Sequence, residues 1–162
     1  EQDTSSHLIM IDGRVSEWTS RLKARWSSTM ASVFDRCLFL PPLPHPDFLR
    51  LLQEASVVLD PLHFGGGNSS YEALAMGAPV VTLPGEFLRS RITQALYATM
   101  GFKDLVVSSI EEYTSLAVRL ANDPEFRAGA VRVIQSSSHR LFENAQEVRC
   151  LEETLLSLAK AK

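Results

Sequence analysis

Residues 56–83 read SVVLDPLHFGGGNSSYEALAMGAPVVTL, and the order of their features decides the fold. Ser56-Val57-Val58-Leu59-Asp60 is an apolar run of strand length, stopped by Pro61. Three consecutive glycines follow at Gly65, Gly66 and Gly67. A short helix is expected from Ser69 to Met76, with Gly77 where a left-handed C-cap belongs. Val80-Val81-Thr82-Leu83 is a second apolar run, closed by Pro84-Gly85. Each run is uninterrupted rather than alternating, which suits strands of a parallel sheet covered on both faces.

The same alternation extends in both directions. Leu8-Ile9-Met10-Ile11, Cys37-Leu38-Phe39-Leu40 and Leu105-Val106-Val107 read as further buried strands. Apolar residues at helical spacing predict a helix from Val15 to about Val33, with Trp18 and Trp26 on one face, either as core or as a docking face for missing structure. Further helices are predicted from Asp47 to Ala55 and from Leu88 to Met100. Another runs from the capping box Ser109-Ile110-Glu111-Glu112 to Asn122. Asp123-Pro124 opens another helical stretch, and 144–160 closes the chain with an amphipathic helix. The expectation is a single α/β domain over 1–162, a Rossmann-like doubly wound parallel sheet with the helices of 124–160 packed back on it. Ligands bind such sheets at the carboxyl ends of the strands, which directs attention to the loop after Asp60.

Composition narrows the function classes. A chain of 162 residues is long enough for one real core. A net charge of −3 gives no basic field for nucleic acid or an anionic membrane. No run approaches the ~20 apolar residues that a membrane span needs, and the acidic, polar residues 1–6 are not a secretory signal. Cys37 and Cys150 fit no metal or redox spacing and read as free thiols of a reducing compartment. A cytoplasmic location is expected. The lack of an initiator Met points to a piece of a longer polypeptide.

In the glycine-rich segment the missing Cβ atoms let the backbone approach a ligand closely. The following helix turns its free N–H groups and positive dipole end towards that ligand, which suits a diphosphate. Ser69 and Ser70 can add hydroxyl donors, and Glu72 can reach the ribose hydroxyls. Ser69-Ser70-Tyr71-Glu72 is also a capping box, in which Glu72 would only bind the Ser69 backbone. The segment matches neither the P-loop nor the GxGxxG fingerprint. Asp60, at the strand end, is placed to fix the turn through backbone N–H groups.

Leu59-Asp60, Gly65 through Ala75, the string from Gly77 to Glu86 and Ser90-Arg91 together resemble one family. It is the donor-binding domain of the O-linked N-acetylglucosamine transferase and SPINDLY family with its bacterial relatives. These are GT-B glycosyltransferases with two Rossmann-like domains. The resemblance implies a UDP-sugar donor as substrate, with the diphosphate at Gly67-Asn68-Ser69 and the ribose at Glu72. It also implies an inverting, metal-independent transfer that needs no cofactor.

This chain departs from the family in places. The animal enzyme has a histidine and two threonines at Gly67, Asn68 and Ser69, and an aspartate at Glu72, whereas the bacterial relatives commonly carry the GGGN form. Phe48 falls where the family packs a histidine on uracil, so it is either a base-stacking or a core residue. His45 falls at a family lysine, or is a solvated loop histidine. Arg91 either approaches the donor or pairs with Glu86. The family's domain opens with a further strand and helix, and its catalytic base and acceptor-protein site lie in the other half. The expectation is therefore a C-terminal piece without the first strand and helix, inactive alone. The alternatives are a non-catalytic or self-associating module, dimerising through an exposed sheet edge, and a transferase acting on a lipid or glycan.

Overall fold

The computed structural model describes residues 3–160. The chain divides into two compact units, Glu1–Leu51 and Leu52–Lys162. In the first, β1 (Leu8–Ile11) and β2 (Cys37–Leu40) pair in parallel, Leu8 opposite Cys37 and Ile11 opposite Leu40. Between them run α1 (Ser16–Thr29) and a 3₁₀ turn (Ala31–Arg36). Trp26 and Phe34 pack on Phe39, with ring centroids 5.9 and 6.5 Å apart. Trp18 is 67% exposed. Eight residues turn a helix about 80° beyond two full turns, so the two tryptophans cannot both face the sheet squarely.

α1 stops four residues before the expected Val33, and the cause is local. The hydroxyls of Ser27, Ser28 and Thr29 donate to the carbonyls of Ala24 and Arg25 at 2.8–3.0 Å. Side-chain bonds of this kind compete with continuation of the helix. The next helix, α2 (His45–Glu54), starts at His45, with the Asp47 and Phe48 N–H groups both on the Pro44 carbonyl at 3.0 Å.

The second unit is built on the segment that opened the sequence. β3 (Val58–Leu59) and β4 (Val80–Val81) are parallel, Val58 opposite Val80, and α3 (Asn68–Ala75) connects them. The expected strand at Leu105–Val107 is reduced to a parallel bridge between Thr82 and Val106. Two further 3₁₀ turns lie at Leu88–Ser90 and Ser138–Leu141. The helices are α4 (Ile92–Met100), α5 (Ile110–Asn122), α6 (Pro124–Ser137) and α7 (Ala145–Lys160). Leu74, Val80, Val81, Tyr97, Met100, Leu105, Leu120 and Ile134 form a core with almost no exposed surface. The fold is α/β with parallel strand pairing, as the sequence implies.

Helix ends follow the sequence signals. Gly77 has φ of 80°, the left-handed conformation expected of it, and Gly101 ends α4 the same way with φ of 75°. Ser109 Oγ accepts the Glu112 N–H at 3.1 Å, and Asp123 Oδ1 accepts the Phe126 N–H at 2.9 Å. Asp123→Ala is expected to cost about 1 kcal/mol by thermal or urea unfolding. Arg127 closes the end of α5 on the Leu120 carbonyl, and Arg140 closes α4 on the Met100 carbonyl at 3.0 Å. α6 buries Ala130, Ile134 and Ser137, while α7 buries none of its residues. Among the described residues no helix is long and apolar enough to cross a membrane.

Candidate functional site

The loop from Asp60 to α3 is held from below by one residue. Asp60 is 4% exposed, and its four polar groups are all engaged. Its N–H donates to Val81 O at 3.0 Å, and its carbonyl accepts the Tyr113 hydroxyl at 2.9 Å. Its Oδ1 accepts the Gly66 N–H and its Oδ2 the Thr82 hydroxyl, both at 2.7 Å. Burial, together with the nearby Asp60 carboxylate, pushes the Tyr113 phenol well above its ordinary range, so it remains a donor. A carboxylate with two short bonds and little solvent meets the requirement that buried charge be hydrogen-bonded.

Steric detail explains the first two glycines. A Cβ at Gly65 would stand 3.0 Å from Asp60 Oδ1, and one at Gly66 would fall onto the Ser70 hydroxyl. At Gly67 a Cβ would meet nothing within 4 Å, so this residue faces open space. Gly67 is the cap of α3, and its carbonyl accepts the Ser70 and Tyr71 N–H groups at 3.0 and 3.3 Å. The N–H groups of Gly67, Asn68 and Ser69 precede the first helical bond, in the position where a helix has unsatisfied donors.

The capping-box alternative is not realised. Ser69 lies inside α3 rather than at its cap, and no side chain caps the helix. Asn68 and Ser69 are exposed, and Glu72 is half-buried one turn into the helix. Ser70 is turned inward, 3% exposed, with its hydroxyl 2.9 Å from Thr93 Oγ1. Its side chain therefore braces α3 against α4.

A second loop, 84–91, is tied to the first. The Gly65 N–H donates to the Arg89 carbonyl at 2.8 Å, and Arg89 Nε donates to the His63 carbonyl at 3.1 Å. Arg91 donates to the Gly85 carbonyl at 3.0 Å, closing its own loop rather than pairing with Glu86. Phe64, Phe87 and Leu88 stand exposed on these loops. Gly65 to Ser70, Glu72 and Arg91 are thus brought into one assembly. His45 and Phe48 lie in the first unit on the first turn of α2, His45 exposed and Phe48 half-buried.

Thr82, Thr93 and Arg89 were not legible as site residues. Each acts through a bond to a residue at least 22 positions away, and no local pattern marks such a bond.

The chain has known relatives. The family described as Glycosyl transferase family 41 matches residues 20–151. A UDP-N-acetylglucosamine–peptide N-acetylglucosaminyltransferase of Caenorhabditis elegans is 34% identical over 123 residues, which are 74% of this chain and 11% of the relative. A probable enzyme of the same description, SPINDLY of Petunia hybrida, is 29% identical over 115 residues, 69% of this chain and 12% of the relative. Among solved structures, a mutant Thermobaculum terrenum O-GlcNAc transferase superposes with a TM-score of 0.77 at 30% identity, over 92% of this chain and 29% of that one. The chain spans about a tenth of the length of these curated relatives.

Proposed function

This chain belongs to glycosyl transferase family 41, and on that premise we propose that its second unit holds the diphosphate of a UDP-sugar at the turn from Gly65 to Ser70. The whole protein is then an inverting, metal-independent transferase that places a sugar, N-acetylglucosamine first among candidates, on Ser or Thr hydroxyls of acceptor proteins.

One observation carries the reading. Gly66 spends its N–H on Asp60, while the next three N–H groups lie ahead of the first helical bond, beside open space at Gly67. A diphosphate accepting two of them gains charge-assisted bonds of roughly 1.5–3 kcal/mol each. The positive end of α3 adds to that. Asn68 and Ser69 offer exposed polar side chains to the same ligand. Ser70 serves by fixing the helix, since its hydroxyl is held by Thr93. Glu72 is the acceptor for the ribose hydroxyls. As the diphosphate leaves, the same donors offset its growing charge.

Calorimetric titration tests this with UDP, UDP-N-acetylglucosamine, UDP-glucose and ADP, on the chain alone and extended upstream by its own gene. Saturable heat with UDP, stronger than with ADP, is expected. A folded protein with no response to UDP in either form overturns the reading.

A further inference from the structure

We propose that Asp60 and Thr82 form a clamp that sets the glycine turn for a diphosphate, so that this buried pair, without touching the ligand, decides how strongly the site prefers a nucleoside diphosphate over the bare nucleoside. The inference rests on the donor-site reading above and assigns two positioning residues to it.

Asp60 follows β3 as Thr82 follows β4, so the clamp joins the carboxyl ends of two paired strands. Thr82 is 1% exposed, and its backbone is fixed on both sides of the peptide. Its N–H donates to Leu105 O at 3.1 Å, and its carbonyl accepts the Val107 N–H at 3.0 Å. Its hydroxyl therefore has one place to go, and it goes to Asp60 Oδ2 at 2.7 Å. That bond leaves Oδ1 aimed at the Gly66 N–H. The tight approach depends on Gly65, whose Cβ would stand 3.0 and 3.2 Å from the two carboxylate oxygens.

The consequence is directional. With Gly66 pointing inward, the N–H groups of Gly67, Asn68 and Ser69 are left to the ligand. Without the carboxylate the Gly66 peptide is free to rotate, and the three donors lose their common orientation. A misplaced donor array weakens contacts to the phosphates and leaves contacts to base and ribose in place. A merely structural residue would change stability without changing that preference.

The test measures affinities for UDP and for uridine by NMR titration, with folding checked by circular dichroism. Asp60→Ala is expected to lower the UDP-over-uridine affinity ratio by tenfold or more. Asp60→Asn keeps an acceptor for the Gly66 N–H and is expected to stay within about threefold of wild type. Thr82→Val, nearly isosteric but without the hydroxyl, is expected to fall between, and Thr82→Ser to restore the ratio. A folded Asp60→Ala protein with the wild-type ratio overturns the clamp. Should that variant not fold, Thr82→Val decides in the same way. A wild-type protein that binds no UDP overturns the donor-site reading itself, and the clamp's role with it, before any variant is needed.

Discussion

Gly66→Ala is expected to lose about 1–3 kcal/mol of stability and more than tenfold in UDP affinity. The added methyl would fall onto the Ser70 hydroxyl and stand 3.0 Å from the Ser69 hydroxyl. Ser70 cannot step aside cheaply, because it is 3% exposed and bonded to Thr93, itself 1% exposed. Relief means overpacking α3 or breaking that buried bond, and each costs about 1–3 kcal/mol. Either outcome moves the start of α3, where the donors lie. Gly67→Ala is the natural comparison. Its methyl meets no protein atom within 4 Å, and its φ of −95° is not left-handed. It should cost no more than about 1 kcal/mol, yet still weaken UDP by occupying the open approach. Urea unfolding beside calorimetry separates the two variants. Equal stability losses in both would contradict the packing described here.

Tyr97→Phe should destabilise the protein by about 2–3 kcal/mol, a large effect for one oxygen atom. In the β3–β4 ladder, Pro79 and Val81 carbonyls face β3, where they accept the Val58 and Asp60 N–H groups. Val80 must face the other way. Thr82, two residues on, meets Leu105 and Val107 on that side, but among the described residues Val80 has no strand opposite it there. The Tyr97 hydroxyl takes the strand's place, donating to the Val80 carbonyl at 2.8 Å and accepting its N–H at 2.9 Å. Removing the oxygen leaves two buried backbone groups unpaired, each costing about 1–3 kcal/mol.

The same phenol gives a pH signature. Burial pushes its ionisation well above the ordinary range; the Val80 backbone hydrogen bond pulls it down a little and the Asp60 carboxylate pushes it up a little. The native state therefore holds a proton that the unfolded chain releases near pH 10. This stability is complete below that pH and is lost as pH rises towards the folded value. The slope is about 1.4 kcal/mol per pH unit for this one group. Tyr113, half-buried and raised by burial and the Asp60 carboxylate, contributes with the same sign. Alkaline unfolding of Tyr97→Phe should be shallower by the Tyr97 share, and an unchanged slope would remove the assignment.

What the sequence determined is what local physics determines. Apolar runs of strand length, Gly77 and Gly101 at helix ends, Ser109 and Asp123 as caps, and the βαβ order of 56–83 are all set by neighbours in the chain. The family followed as well, because the string from Gly65 to Arg91 carries it without reference to any distant residue. Where local signals competed, the reading erred by a few residues. The hydroxyls of 27–29 shortened α1, and an Arg91 backbone outside the helical region split the helix expected over 88–100 into a 3₁₀ turn and α4.

Only the tertiary structure decided which polar groups of the glycine turn are engaged within the protein. From the sequence, Ser69 to Glu72 could be read as a capping box as well as a phosphate site, and Ser70 as a ligand donor like Ser69. Thr93 draws Ser70 inward, and Asp60, bonded to Thr82, draws the Gly66 N–H inward. These bonds join residues 6 to 23 positions apart in the chain, and what makes them form is burial. A polar group removed from water must find a partner wherever the packing brings one. Which donors of the turn stay outside those bonds is what remains after the obligations are met.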